Sequence, residues 1–286
     1  MRIKACIRIG PSHHALSDGC LMEKAKAGRM GQYTGSGKII FTKSDSNGIA
    51  ELTLDNPGVK NSLNGYMFVQ IADIIESLSD WKQGRLIIFN GANGTFCSGG
   101  DLNFVKKIAN PADGYVMNRF MSETFAKLRI LQLISIARID GFAIGGGAEL
   151  TVACDLRAMH MNAKIGYVQS KVGITPGWGT AHLLFKILGQ SRALELLSMG
   201  GILKADEAKA IGLANFIFEN DTDYDAWVQH FLSIDPVVLK AIKRISSGLD
   251  EQSFINDPTD VEREIFVETW GSDAHLKALS MGKKHR

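Results

Sequence analysis

The sequence predicts an α/β fold with a helical C-terminal region. Three observations carry this: short apolar runs such as Leu86-Ile87-Ile88-Phe89 alternate with stretches of helical spacing, glycine-rich loops follow the strands, and the pattern beyond Ser191 is chiefly helical. A strand, strand, helix unit recurs several times without close sequence identity, as a right-handed spiral of ββα turns would require. With 286 residues, 45% hydrophobic and 22% charged, the chain can bury a sizeable core, which excludes disorder and collagen.

The elements follow in order. Ile39-Ile40-Phe41 and the alternating run from Ile49 to Leu54 flank Asp45-Ser46-Asn47-Gly48, two β-favouring runs about an Asn-Gly turn, hence a hairpin. After Asn56-Pro57-Gly58, residues Leu63, Met67, Phe68, Ile71, Ile74, Ile75 and Leu78 keep helical spacing towards Trp81. Leu86 to Phe89 is a buried strand that runs into the loop from Asn90 to Asp101. A helix over 112–131 leads to a strand from Leu133 to Ile139 and a second glycine-rich turn, Gly141 to Glu149. A helix starts inside that turn, because Ala148, Leu150, Thr151, Ala153 and Cys154 are small or apolar, as tight packing on a sheet needs. Asp155 to Met159 is a third strand, and Ile165-Gly166-Tyr167 opens an irregular region ending in Pro176-Gly177-Trp178-Gly179. Gly200-Gly201, Gly212, Asp235-Pro236, Pro258 and Gly271 break the helical tail.

Charge and cysteines exclude several function classes. The formal charge is +2, with no basic stripe, so neither nucleic acid nor an anionic membrane is expected as a partner. Up to Lys38, seven Lys or Arg stand against Asp18 and Glu23, a head of +5 that leaves −3 for the body. Arg2, Lys4 and Arg8 suggest a mitochondrial presequence, but Asp18 and Glu23 are atypical of one, so residues 1–37 are taken as a flexible leader and the location as cytoplasmic. No apolar run approaches the roughly 18 to 20 residues of a spanning helix. Cys6, Cys20, Cys97 and Cys154 form no CxxC pair and the seven histidines no ligand spacing, so no metal is expected and a reducing compartment fits.

The glycine turns direct backbone N–H groups at a common point, which suits an anion or a developing negative charge. A phosphate cradle fails, since Gly145-Gly146-Gly147 lacks the following Lys-Ser or Lys-Thr, and no GxGxxG opens a helix after the first strand, so neither ATP nor NAD is expected. Alternatively two loops each supply one N–H, from Ser98 and Gly146, to an oxyanion hole; tight strand-to-helix packing is the competing explanation. Glu149 lies in the otherwise apolar stretch from Ile144 to Cys154, where a carboxylate either caps neighbouring N–H groups or is catalytic, and burial would raise its pKa as a proton donor needs.

Asn56-Pro57 through Asn61-Ser62-Leu63-Asn64, Phe96-Cys97-Ser98-Gly99-Gly100-Asp101-Leu102, Gly141 through Leu150, and Ala153-Cys154-Asp155-Leu156-Arg157, in that order, resemble the crotonase (enoyl-CoA hydratase/isomerase) superfamily. The match runs from Lys38 to the C-terminus, so 38–286 is expected to be one crotonase-like catalytic domain, with a helical trimerisation region from about residue 195. The resemblance implies a homotrimer or homohexamer, an acyl-CoA thioester substrate, and no cofactor beyond the CoA of the substrate. It also implies a thioester oxygen held by the Ser98 and Gly146 N–H groups, and CoA held around Lys60, Ser62, Gly99, Gly100, Asp101 and Leu102.

Hydratases of that superfamily carry a second glutamate at the position that here is Gln169, and an amide cannot act as acid or base. Decarboxylation needs less: loss of CO2 makes the enolate, the hole stabilises it, and one group reprotonates the α-carbon. Asp101-Leu102-Asn103, Gly147-Ala148-Glu149, Pro176 with Trp178-Gly179, and Thr269-Trp270-Gly271 are similar to the branch that decarboxylates ethylmalonyl-CoA and methylmalonyl-CoA, a cytosolic metabolite-repair activity. That likeness implies Glu149 as the protonating group and Trp178 as the wall of the acyl pocket, plain packing being the alternative for Trp178. The competing activities are an enoyl-CoA hydratase or Δ3,Δ2-enoyl-CoA isomerase, and a non-catalytic protein of the same fold that binds acyl-CoA or RNA.

Overall fold

A computed structural model describes residues 35–251, 266–267 and 270–281. The expected leader therefore lies almost wholly outside the described residues. Strands β1 (Lys38–Ser44) and β2 (Ile49–Asp55) form the predicted antiparallel hairpin, with Lys38 opposite Asp55 and Ser44 opposite Ile49. Parallel strands β3 (Leu86–Gly91), β4 (Ile134–Ile139), β6 (Leu156–His160) and β9 (Phe216–Phe218) extend it to a six-stranded sheet in the order β1-β2-β3-β4-β6-β9. A second sheet, in the order β5-β7-β8, comprises β5 (Phe142–Ile144), β7 (Lys164–Gly166) and β8 (Ile202–Lys204).

The two sheets grow together, which makes the chain a spiral. β4 in the large sheet is followed by β5 in the small one and then helix α4 (Gly146–Ala153); β6 is likewise followed by β7. One turn earlier, the segment after β3 bridges Cys97 to Ala143 of β5 and Gly100 to Leu63, continuing the small sheet without regular strands. Helices α1 (Gly65–Ser77), α2 (Leu102–Lys107) and α3 (Pro111–Ile130) fill the first turns. Helices α5 (Ala181–Leu188), α6 (Gln190–Met199), α7 (Ala205–Ala210), α8 (Asp221–Leu232), α9 (Pro236–Glu251) and α10 (Asp273–Ser280) follow.

The centre of the large sheet is buried on both faces, which is why β3 reads as a continuous apolar run, whereas the edge hairpin β1–β2 alternates. Along β3, Ile87 and Phe89 enter the main core, whereas Leu86 and Ile88 enter a second cluster with Ile136, Ala158, Tyr224, Val228 and Leu239. α8 and α9 supply the cover of that second face through Tyr224, Val228 and Leu239. Asp155 ties α9 down: it accepts from the buried Lys243 ammonium at 2.6 Å and from the Ser135 N–H at 2.8 Å.

The chain beyond Ser191 departs from the expected helical tail, because β8 and β9 both lie there and β9 completes the core sheet beside β6. Each is three residues long, too short for period-two alternation to declare itself; its pairing is decided by the sheet edge it meets. β5 and β7 escaped sequence reading for the same reason.

Candidate active site

The two glycine loops meet at the start of α4. Cys97 is held on β5, its N–H donating to the Phe142 carbonyl and its own carbonyl accepting from the Ile144 N–H, both at 2.9 Å. A Cβ on Gly99 would stand only 3.3 Å from the Gly146 nitrogen, so the first loop passes directly over the N-terminus of the helix. The Cys97 thiol is enclosed there, and burial pushes its pKa up to about 12, which makes it a small core group at neutral pH.

The geometry corrects the expected role of Ser98. Its N–H donates to the Lys60 carbonyl at 3.0 Å and its Oγ donates to the Val59 carbonyl at 3.0 Å, so both donors are engaged away from the α4 terminus. Asp101 N–H also points to that side, donating to the Leu63 carbonyl, while the Gly99 carbonyl accepts from the Leu63 N–H. Gly99 takes φ +106, a left-handed conformation that reverses the usual alternation and turns the next peptide about. The Gly100 N–H lies between those two bonds to Leu63 and faces the other way, and among the described residues it has no acceptor. Gly146, first residue of α4, has no carbonyl one turn earlier to bond, and its N–H likewise has no acceptor among the described residues.

Trp178 packs against this point. A Cβ on Gly146 would lie 2.4 Å from carbons of the Trp178 ring, so only glycine permits the contact. The ring is buried and stands edge-on to Phe68 at 5.2 Å, and Phe68 stands edge-on to Phe104 at 5.7 Å.

Glu149, in the first turn of α4, is 2% exposed and accepts hydrogen bonds on both carboxylate oxygens. Its Oε1 accepts from Gln169 Nε2 at 2.9 Å and the Gly177 N–H at 3.1 Å; its Oε2 accepts from the Trp178 N–H at 2.7 Å and Thr180 Oγ1 at 3.3 Å. Burying an unpaired carboxylate costs several kcal/mol, and each charge-assisted bond returns about 1.5–3 kcal/mol, so these donors and the positive end of α4 offset the burial. Each carboxylate oxygen is thus held by two donors, which fixes the group's orientation at the start of α4.

Gln169 therefore serves Glu149 directly, while its own Oε1 is buried without a partner among the described residues. Lys60 and Asn61 both adopt left-handed φ, 54° and 55°, and Lys60 is exposed at the rim. Ser62 is buried, Asp101 caps α2 by accepting from the Phe104 N–H at 2.8 Å, and Leu102 is exposed beside it. The structure thus brings Lys60, Ser62 and Gly99 to Leu102 together along one edge, with Gly146, Glu149, Gln169 and Trp178 behind. Sequence reading missed Thr180, a lone polar residue in a loop with no spacing to mark it, and gave no role to Asn61, whose side chain bonds the Asn56 N–H and the Ala92 and Thr95 carbonyls.

The family model for enoyl-CoA hydratase/isomerase matches residues 44–280. The chain belongs to the enoyl-CoA hydratase/isomerase family. Within this family it is similar to the ethylmalonyl-CoA decarboxylase of Xenopus tropicalis, 37% identical over 98% of this chain and 93% of that one. It is also similar to the ethylmalonyl-CoA decarboxylase of Homo sapiens, 35% identical over 98% of this chain and 92% of that one. Among solved structures of the family, an enoyl-CoA hydratase/isomerase from Mycobacterium paratuberculosis superposes with a TM-score of 0.78 at 20% identity, over 87% of this chain and all of that one. A putative enoyl-CoA hydratase/isomerase from Acinetobacter baumannii gives 0.73 at 27% identity, over 84% and 99% of the two chains. No described helix is long and apolar enough to cross a membrane.

Proposed function

We propose that the protein decarboxylates a short branched malonyl-type CoA thioester, ethylmalonyl-CoA or methylmalonyl-CoA, as a metabolite-repair enzyme. The observation that carries this reading is the pairing of Glu149 with an amide, Gln169, where hydration asks for a second acid or base. The names of the full-length relatives support the same substrate class.

In this reading the CoA portion lies along Lys60, Ser62 and Gly99 to Leu102, and the thioester oxygen accepts from the Gly146 and Gly100 N–H groups, Gly100 standing where Ser98 was expected. The bond between the α-carbon and the carboxylate breaks, CO2 leaves, and the electron pair becomes the thioester enolate. The α-carbon then takes a proton from the Glu149 carboxyl group, directly or through one water, and the carboxylate left behind regains a proton from solvent before the next turnover. Trp178 and Phe68 wall the acyl group and keep bulk water from the enolate. The apolar side chains that α9 exposes, Val237, Val238, Ile242 and Ile245, suit a homotrimer or homohexamer, and a cytoplasmic location completes the reading.

Purified protein is expected to release CO2 from ethylmalonyl-CoA, and Glu149→Gln to lose that activity by at least about a hundredfold, as removal of a proton-handling group does. Brisk hydration of crotonyl-CoA with ethylmalonyl-CoA untouched would sink the decarboxylase reading in favour of a hydratase.

A further inference from the structure

We infer that Asn118 is a positioning residue that sets Glu149 through the peptide bond between Gly177 and Trp178. This rests on the reading of Glu149 as the group that handles the proton. Asn118 lies in the middle of α3, fully buried, where asparagine is a poor helix former and a polar side chain needs a reason. Its Nδ2 donates to the Gly177 carbonyl at 3.0 Å. The same peptide unit carries the Trp178 N–H, which donates to Glu149 Oε2 at 2.7 Å, the shortest of the four bonds to that carboxylate described above. A donor on the carbonyl polarises the amide and strengthens the N–H at its other end, so the chain Asn118, peptide, Glu149 is cooperative.

The orientation of the side chain agrees. Reversing the amide would set Oδ1 against the Gly177 carbonyl, two acceptors face to face, so the NH2 end must point there. That leaves Asn118 Oδ1 buried with no partner among the described residues, an arrangement in which the side chain is kept for its donor alone. Gln169 shows the same pattern on the other oxygen of Glu149, its donor engaged and its acceptor orphaned. Gly177 cannot retreat from this grip, because the Phe266 ring lies 2.3 Å from where its Cβ would be.

The test is Asn118→Leu in the full-length protein, with ethylmalonyl-CoA as substrate and selective 15N labelling of the four tryptophans. The expected result is a fall in kcat of at least about tenfold with KM within about threefold, as misplacement of a reacting group predicts. The Trp178 backbone amide proton, identified by its loss in Trp178→Phe, is expected to move upfield as its bond to Glu149 lengthens. Unchanged kcat, a loss confined to KM, or an unmoved Trp178 amide signal each overturns the inference. Should the Leu variant fail to fold, Asn118→Ser, whose short hydroxyl cannot reach the Gly177 carbonyl, is read by the same criteria. The amide signal needs no turnover, so the relay stands or falls separately from Glu149's role, which Glu149→Gln tests by itself.

Discussion

Gly146 has to be glycine for a reason no motif states: the Trp178 ring occupies the space of its Cβ. Overpacking of this kind costs about 1–3 kcal/mol, short of the 5–15 kcal/mol that typically holds a domain together. Gly146→Ala is therefore expected to stay folded but to tilt the start of α4 or push Trp178 outward. Decarboxylation should fall by about 10²–10³, the usual effect of removing one oxyanion donor, with a native circular dichroism spectrum. Near-native kcat in that variant would mean that the Trp178 ring gives way to the added Cβ without displacing the Gly146 N–H. The glycine was legible in the sequence as part of a triple, but its tryptophan partner, 32 positions later, was not; two hydrophobic or small residues so far apart carry no sign of contact.

At the scale of elements, α4 is anchored at both ends by groups from elsewhere in the chain. Loop 174–180 serves Glu149 at its N-terminal turn, and the guanidinium of Arg157 serves its C-terminus. Arg157 is buried and donates to the Thr151, Cys154, Asp155 and Leu213 carbonyls and to Asn215 Oδ1, and burial lowers its proton affinity. Replacing it with Met keeps most of the volume but leaves those carbonyls without donors, so Arg157→Met should destabilise the fold by about 3 kcal/mol. A urea titration checks this: a midpoint within error of the native one would mean that water replaces the guanidinium. The helix itself was foreseen from its small residues. Its C-terminal anchor was not, since an arginine in a strand pattern reads as a surface residue until the carbonyls at the end of α4 are known to lie beside it.

Across the whole molecule, the C-terminal segment reaches back to the site. Phe266 packs on Gly177 and Trp270 on Gly114 of α3, while Trp270 Nε1 donates to the Ile108 carbonyl and its ring lies 4.8 Å from His275. His275 is buried, its Nδ1 accepts from the Gly271 N–H at 2.9 Å, and burial lowers its pKa below the ordinary 6.5. The unfolded chain then binds the proton more readily than the folded one. Stability is complete above 6.5 and declines as pH falls through the depressed folded value. His275→Asn keeps an acceptor for Gly271 without the titration. The melting temperature of the variant should vary less between pH 7 and pH 5 than that of the native protein, and parallel curves would count against His275 as the source.

Local chemistry was enough to specify the α/β class, the hairpin at Asn47-Gly48, the glycine loops and the placement of Glu149 beside them, because each depends on residue type within one or two turns of chain. Short strands that exist only by pairing, such as β5, β8 and β9, were decided by the tertiary structure. So were the partners of the first glycine loop, where the Ser98 N–H bonds the Lys60 carbonyl and the Gly100 N–H has no acceptor among the described residues. So, too, was the ring of donors around one carboxylate, drawn from residues 169, 177, 178 and 180 and steadied from 118. A buried charge states in sequence that it must be satisfied; only the folded chain states by what.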